Sequence, residues 1–397
     1  MREIATPAMT PVLSREDELC LLLARGHLNS ENRTHTLQLL ATPLQWPAIL
    51  ERAYTHQVYP LLYRNLLELG FPGVPNEAQT ELKNAYLANA FRNQLFAEEL
   101  TRLLKLLGEA GIPVIPLKGV TLAQSLFGDS AARVCSDIDI LVPPGDAVRA
   151  RGVILRNGYS SQFTEEFFIN HQLRTSPDCP LVCETKVLAY LVELHWTLLY
   201  SSSKNQEITE NLWSQARPHE FYGVRAWNLT PEWEFVFLAL HAASHKWSSL
   251  KWLTDIHELC ASGTIDWNQV KKTVERFELD IFVGPTLTAC SLLFGTRVPP
   301  EIPWLPLPPD VRLFPDSLAA SESWKVPLFY PRLLKRRSDK LRWFARGFFV
   351  PNLADQIFLR LPAPLSFLYY VLRPLRLTGK WSWRLVRAGF DRVADRK

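Results

Sequence analysis

At residue 111 the hydrophobic periodicity of this chain changes, and that change constrains its fold more than any other feature. Upstream, from residue 15 to about 111, apolar residues recur every three to four positions, as the buried stripe of an amphipathic helix requires. The clearest run spans 76–111. There Leu82, Tyr86, Ala90, Asn93, Ala97, Leu100, Leu104 and Leu107 keep the rhythm, and Gly108 and Gly111 supply stop signals. An earlier run over 46–70 has the same spacing. Residues 1–111 are therefore expected to form an N-terminal helical domain.

Beyond Gly111 the apolar runs shorten. Residues 112–117 (IPVIPL) read as a buried strand bounded by Lys118-Gly119, residues 120–127 as a short helix stopped at Gly128, and residues 135–142 (CSDIDILV) as a half-buried alternating strand. A second helix is expected over 146–157, an extended piece begins at Tyr159, and strict alternation resumes at 191–196 (LVELHW) after a stretch, 167–190, with little signal. Strand, helix, strand, helix, strand implies an α/β core over 112–229. Helical periodicity returns over 231–260, where Thr230 offers an N-cap and Pro231 an N1 residue, and over 267–293. These two runs define a helical domain, 230–297, expected to close a cleft. The prolines of 298–310 (VPPEIPWLPLPPD) exclude a helix or a central strand and open a linker, 298–330.

A length of 397 residues exceeds what one core usually organises, in keeping with several folding units. The six cysteines form no CxxC pair and no zinc-ligand spacing, so all six are expected to be reduced thiols. Residues 1–11 show no secretory pattern and no stretch of 18 uncharged apolar residues occurs, so the cytoplasm is the expected compartment. The net charge of +4 hides an asymmetry. Residues 331–397 hold 16 Lys/Arg against 4 Asp/Glu, a net +12, and residues 1–330 hold 28 against 36, a net −8. Segments 333–344 and 367–377 mix basic and large apolar residues as interfacial helices do, and Trp381 and Trp383 stand beside Lys380 and Arg384. Three occupants remain open for this basic amphipathic region: the acidic body of the chain itself, a membrane surface that would make the protein membrane-peripheral, and an acidic partner or nucleic acid. Because basic charge is confined to the tail, no specific nucleic acid is expected.

The chemistry centres on Asp137 and Asp139, which as i and i+2 residues of a strand project from one face. Two such carboxylates with no basic residue between them repel unless a cation lies between them. Mg2+, with Mn2+ as the alternative, suits carboxylate and phosphate oxygens. Upstream, Lys118-Gly119 closes one strand and opens a helix, whose free N–H groups and positive dipole end suit a triphosphate; the bland alternative is a turn with a solvated lysine. Arg133 is placed to meet a phosphate oxygen or to pair with a carboxylate. His195 shares a strand face with Glu193, and either orients that glutamate, contacts substrate, serves as a base or is structural. His241 and His245 lie at i and i+4 on one helix with Asp255 beyond, as a polar face for nucleotide or acceptor, as structural hydrogen-bonding groups or as a separate metal site. No glutamate follows His241, which excludes the metalloprotease motif.

The strings GIPVIPLKGVTLAQSLFGD, ARVCSDIDILV, GDAVRARGVILRNGY, VELHWTLL and LALHAASHKWSSLKWLTDIHEL, with the helices around YPLLYR (59–64) and NAFRN (89–93), resemble the uncharacterised nucleotidyltransferases related to aminoglycoside nucleotidyltransferases, in the DNA polymerase beta-like superfamily. The resemblance covers roughly residues 40–295. It implies an α+β fold, a small mixed sheet with flanking helices set between N-terminal and C-terminal helical regions. It implies that Asp137 and Asp139 hold the nucleotide metal, that Glu193 is the third carboxylate of the catalytic metal, and that an NTP, ATP foremost, donates its nucleoside monophosphate to an unidentified acceptor. Where that superfamily has Gly-Ser or Gly-Gly, this chain has Lys118-Gly119 followed by Val120, so a hydroxyl contact to phosphate is missing. That departure keeps a second reading open: a nucleotide-binding regulatory or scaffold protein with the same fold and little or no turnover.

Overall fold

The computed structural model describes residues 13–199, 204–309, 311–314, 334 and 336–378. Residues 315–330 of the linker and the tryptophans at 381 and 383 lie outside them. The chain forms two compact units, Met1–Asp139 with Asn211–Pro327, and Ile140–Glu210 with Leu328–Lys397. The strands of the described residues are β1 (Ile115–Pro116), β2 (Ile138–Leu141), β3 (Asp178–Glu184), β4 (Ala189–His195), β5 (Arg217–Phe221) and β6 (Val224–Asn228). The first four make a small sheet of order β1-β2-β4-β3, and β5 and β6 a two-stranded ladder. The fold is thus mixed α and β with a small sheet.

The first unit opens with α1 (Arg15–Leu23), α2 (Ser30–Leu40), α3 (Trp46–Thr55), α4 (Tyr59–Leu69) and α5 (Asn76–Glu109). Ser14 starts α1 with a capping box closed by Asp17. The single helical run expected over 46–70 is two helices, because Gln57 takes a left-handed φ of 57° and Pro60 sits in the first turn of α4. The same device divides both later runs. Lys246 and Trp247 have φ of 58° and 52° between helices Pro231–Ser244 and Leu250–Ala261, and Glu278 has φ of 60° between Trp267–Phe277 and Asp280–Phe294. Periodicity does not register such corners, since the apolar residues on either side still bury. Trp247 is fully buried at its corner, and its indole Nε1 donates to Thr286 Oγ1 at 2.6 Å.

Helix α5 runs 34 residues and buries Leu82, Asn89, Asn93, Phe96, Leu100, Leu103, Leu104 and Leu107. Tyr86 and Ala90, expected on the buried stripe, are only half-buried; Asn89 takes the inward position instead. Pro113 and Pro116 cannot donate ladder bonds, so β1 is confined to two residues. Leu117 N donates to Asp139 O at 3.1 Å, and the first helix after it, α6 (Val120–Phe127), ends at a left-handed Gly128 as expected.

In the second unit β4 pairs antiparallel with β3, Glu193 opposite Pro180 and His195 opposite Asp178, and Val142 N donates to His195 O at 3.0 Å. β3 lies in the stretch where the sequence gives little signal. Its Pro180 breaks the hydrophobic alternation, and it is tolerated because β3 is an edge strand. Helix α7 (Ala147–Arg156) follows β2, and Arg151 Nη2 donates to Phe163 O at 2.7 Å. Near the end of the described chain, Asp355 accepts from Arg373 at 2.8 Å and from Arg376 at 2.7 Å, which fixes the turn between helix Leu353–Phe358 and the last helical segment. All six cysteines are free thiols, as expected. No helix among the described residues is long and apolar enough to cross a membrane.

The Trp247 corner gives a test of the first unit's packing. Thr286→Val keeps the side-chain shape and removes the acceptor of a buried indole N–H. It is expected to cost about 1–3 kcal/mol, read by denaturant unfolding, with a tryptophan emission change at the same midpoint.

Candidate active site

The end of β1 delivers Lys118 to the β2 aspartates. The Leu117 to Asp139 hydrogen bond sets the two segments side by side, and Lys118 Nζ lies 3.3 Å from Asp137 Oδ2 and 3.1 Å from Asp139 Oδ2. The Lys118 side chain is 8% exposed and that of Asp139 only 1%. β2 is buried on both faces, where the sequence reading expects a half-buried strand, so Asp139 is an internal carboxylate. An internal charge persists only when paired. The cation between the aspartates is here supplied by the protein, from 19 residues upstream. The inference that no basic residue separates them holds along the sequence and fails in space.

Gly119 has φ 76° and ψ −133°, a conformation that requires glycine, and a Cβ there would lie 3.7 Å from Asp137 O. No side chain caps α6. Its first N–H groups and positive dipole end therefore remain available beside Lys118.

Arg133 sits in the segment before Asp137. Its Nε lies 3.1 and 3.0 Å from the two Asp255 carboxylate oxygens, and its Nη2 lies 3.0 Å from Oδ2, both residues being buried. Of the two roles open to Arg133, the structure displays the salt bridge. Burial opposes the charge of Arg133, and Asp255 more than offsets it, so the guanidinium stays protonated. Burial pushes the Asp255 carboxyl up, against the pull of Arg133.

The sequence reading misses the residues that hold this segment in place. Asn89 Nδ2 donates to Ala131 O at 2.8 Å and Arg133 O at 3.1 Å, and Asn93 Nδ2 donates to Ser130 O at 2.6 Å and Arg133 O at 2.7 Å. Tyr86 OH donates to Asp129 Oδ2 at 2.7 Å, and Lys251 Nζ reaches Val134 O at 3.3 Å and also Gln57 Oε1. The segment has little ladder or helix of its own, so side chains from α5 and from helix Leu250–Ala261 satisfy its carbonyls. The available signal was an asparagine pair at i and i+4 inside an otherwise apolar stripe.

Lys251 is itself buried. Desolvation, with Arg133 and Lys118 nearby, lowers its amine from 10.5 to about 7. The His241 and His245 rings lie with centroids 4.9 Å apart, tilted by 60°, and both pack on Trp252, at 5.3 and 4.6 Å. Desolvation and then the charge of Lys118 push the His241 imidazole well below its ordinary range, so it is neutral, a hydrogen-bonding group beside the Lys118 and aspartate cluster. The first unit thus brings Lys118, Gly119, Arg133, Asp137, Asp139, His241, His245 and Asp255 into one neighbourhood.

In the second unit Glu193 and His195 share one face of β4 as expected, with His195 Nε2 3.6 Å from Glu193 Oε2. Val192, Leu194 and Trp196 are buried, on the core side of the alternation. The Glu193 side chain is 31% exposed, open enough to meet a ligand.

The donor set fits a hard divalent ion. Its carboxylates offer oxygens, and the Lys118 ammonium occupies the position that such an ion would compete for.

Two measurements probe this arrangement. Lys251 has a folded pKa of about 7, below its ordinary 10.5. Between those values the unfolded chain binds the extra proton, so wild-type stability rises with pH across that window relative to Lys251→Met, and the difference is flat below it. Thermal unfolding of both proteins from pH 6 to 10 checks this, and a pH-independent difference would refute it. Asn93→Leu leaves Ser130 O without its buried donor and is expected to destabilise by about 1–3 kcal/mol in chemical denaturation.

Compared with known families, residues 42–295 match the model described as Uncharacterised nucleotidyltransferase. No curated protein matches the chain, and no solved structure does.

Proposed function

The chain belongs to the uncharacterised nucleotidyltransferase family, and we propose that it moves a nucleoside monophosphate from an NTP, ATP first among them, to a hydroxyl of a small-molecule, peptide or protein acceptor. One observation carries the reading: Asp137 and Asp139 converge on a single ammonium beside the uncapped start of α6. Such a cluster matches a triphosphate in charge on one side and a divalent ion on the other.

The residues proposed to hold the metal are Asp137 and Asp139, from one face of β2, with Glu193 and the neighbouring His195 from β4. The expected ion is Mg2+, with Mn2+ as the alternative; when bound it neutralises charge on the attacking and leaving oxygens. Lys118, relieved of the carboxylates, turns its ammonium to the β- and γ-phosphates. The N–H groups at the start of α6 receive phosphate oxygens, a role that needs the backbone of Gly119 and no hydroxyl at Val120. Arg133 acts from behind by fixing, with Asp255, the segment that enters β2. His195 orients Glu193. The acceptor oxygen bonds to the α-phosphorus, the bond from that phosphorus to the bridging oxygen breaks, pyrophosphate leaves in line, and the acceptor proton passes to Glu193, the most exposed of the three carboxylates. His241, His245 and the 231–293 helices are proposed to meet the nucleotide or the acceptor.

The position of Lys118 between the aspartates also favours a second reading, a nucleotide-binding regulatory protein in which the ammonium keeps metal out and turnover is weak or absent. Incubation with α-labelled NTPs, Mg2+ and cell extract separates the two. Transfer of label with pyrophosphate release is expected, falling more than about a hundredfold in Asp139→Asn, since even outer-shell partners of a metal cost up to that much. Labelling that persists in Asp137→Ala/Asp139→Ala would sink the transferase assignment. Tight NTP binding with no pyrophosphate in any extract would favour the regulatory one.

A further inference from the structure

Most of the large hydrophobic side chains that the described residues expose lie in one short part of the second unit. Leu341, Phe344, Phe348 and Phe349 on helix Arg337–Phe349 are exposed, as are Ile357, Phe358 and Leu359 around helix Leu353–Phe358, and Phe367, Val371 and Leu375 beyond it. Leu341 is 71% exposed, Ile357 68% and Leu375 64%. Isolated exposed apolar residues are ordinary; a contiguous concentration of them is not.

No residue of helix Arg337–Phe349 is buried. Leu341, Phe344 and Phe348 are spaced i, i+3 and i+7, which sets them on one stripe, and Asp339, Arg342 and Arg346 fall on the opposite side. The backside is anchored, Arg346 donating to Thr175 O, so the apolar stripe faces outward. Self-docking, one of the three occupants open from the sequence, engages Arg346, Gln356, Tyr369 and Tyr370 within the same unit and leaves these side chains exposed.

The charge identifies the occupant. Residues 336–378 carry eight Lys/Arg and two Asp. Both acids are engaged internally, Asp339 by Arg342 at 3.0 Å and Asp355 by Arg373 and Arg376. An outward apolar stripe in a segment with a net positive charge is complementary to lipid with anionic headgroups: acyl chains receive the phenylalanines and leucines, and the headgroups receive Arg337, Lys340 and Arg360. We propose that residues 337–378 dock the protein on the surface of an anionic lipid membrane, lying in the interface without crossing it.

Co-sedimentation of the full chain with vesicles tests this, with no nucleotide present, so the result is independent of the transfer reaction. The protein is expected to pellet with phosphatidylserine/phosphatidylcholine vesicles, to pellet much less with phosphatidylcholine alone, and to be released by salt as the headgroup attraction is screened. Leu341→Ser/Phe344→Ser/Phe348→Ser removes only exposed side chains and should unfold at the wild-type temperature. Its bound fraction is expected to fall at least about tenfold, in line with the lost apolar burial. Equal pelleting of the serine variant overturns the proposal. So does equal binding to neutral vesicles, or failure to bind any vesicle combined with a dimer that the serine variant abolishes, which would make the face an interface between copies of this chain.

Discussion

The arrangement of the candidate site follows from one electrostatic demand, that an internal carboxylate on a strand buried on both sides must find a positive partner. Asp139 meets it through Lys118, and the meeting dictates much else. It requires β1 to end beside β2, which the Leu117 to Asp139 hydrogen bond enforces. It requires the chain to turn sharply right after the lysine, which Gly119 permits. Burial first and the Lys118 charge second depress the nearby His241, which therefore presents a neutral imidazole and adds no further charge. A lysine between two aspartates balances their charge from within the chain.

Much of this was legible along the chain, because strand alternation and glycine punctuation are local. Residues 120–127 form the expected helix, Glu193 and His195 share the expected face, and Leu194 and Trp196 lie in the core. What was not legible depends on through-space partners. Lys118 and Asp137 are 19 residues apart and Arg133 and Asp255 are 122 apart, so no local pattern announces either pair. The left-handed corners at Gln57, Lys246, Trp247 and Glu278 were missed for a related reason: none is glycine, so no residue type marks the conformation along the chain. The edge strand β3 was hidden by a proline that only its place at the sheet margin excuses. The division of the chain into units that each use two separated stretches is equally inaccessible to a reading that moves from one end to the other.

Asn89 and Asn93 show how a polar pair can be read either as a flaw in a stripe or as its purpose. On the inner face of α5 they spend four hydrogen bonds on the carbonyls of Ser130, Ala131 and Arg133, just ahead of the aspartates. The leucines further along the same helix set its rotation about its own axis, from Leu100 to Leu107. One residue added or deleted between Asn93 and Leu100 would turn the asparagines by about 100° relative to that leucine anchor and carry both amides away from the loop. α5 therefore acts as a fixed-length gauge, open to exchange of its outward residues yet intolerant of any change in length, and lineages of this chain should differ there by replacement and not by insertion or loss.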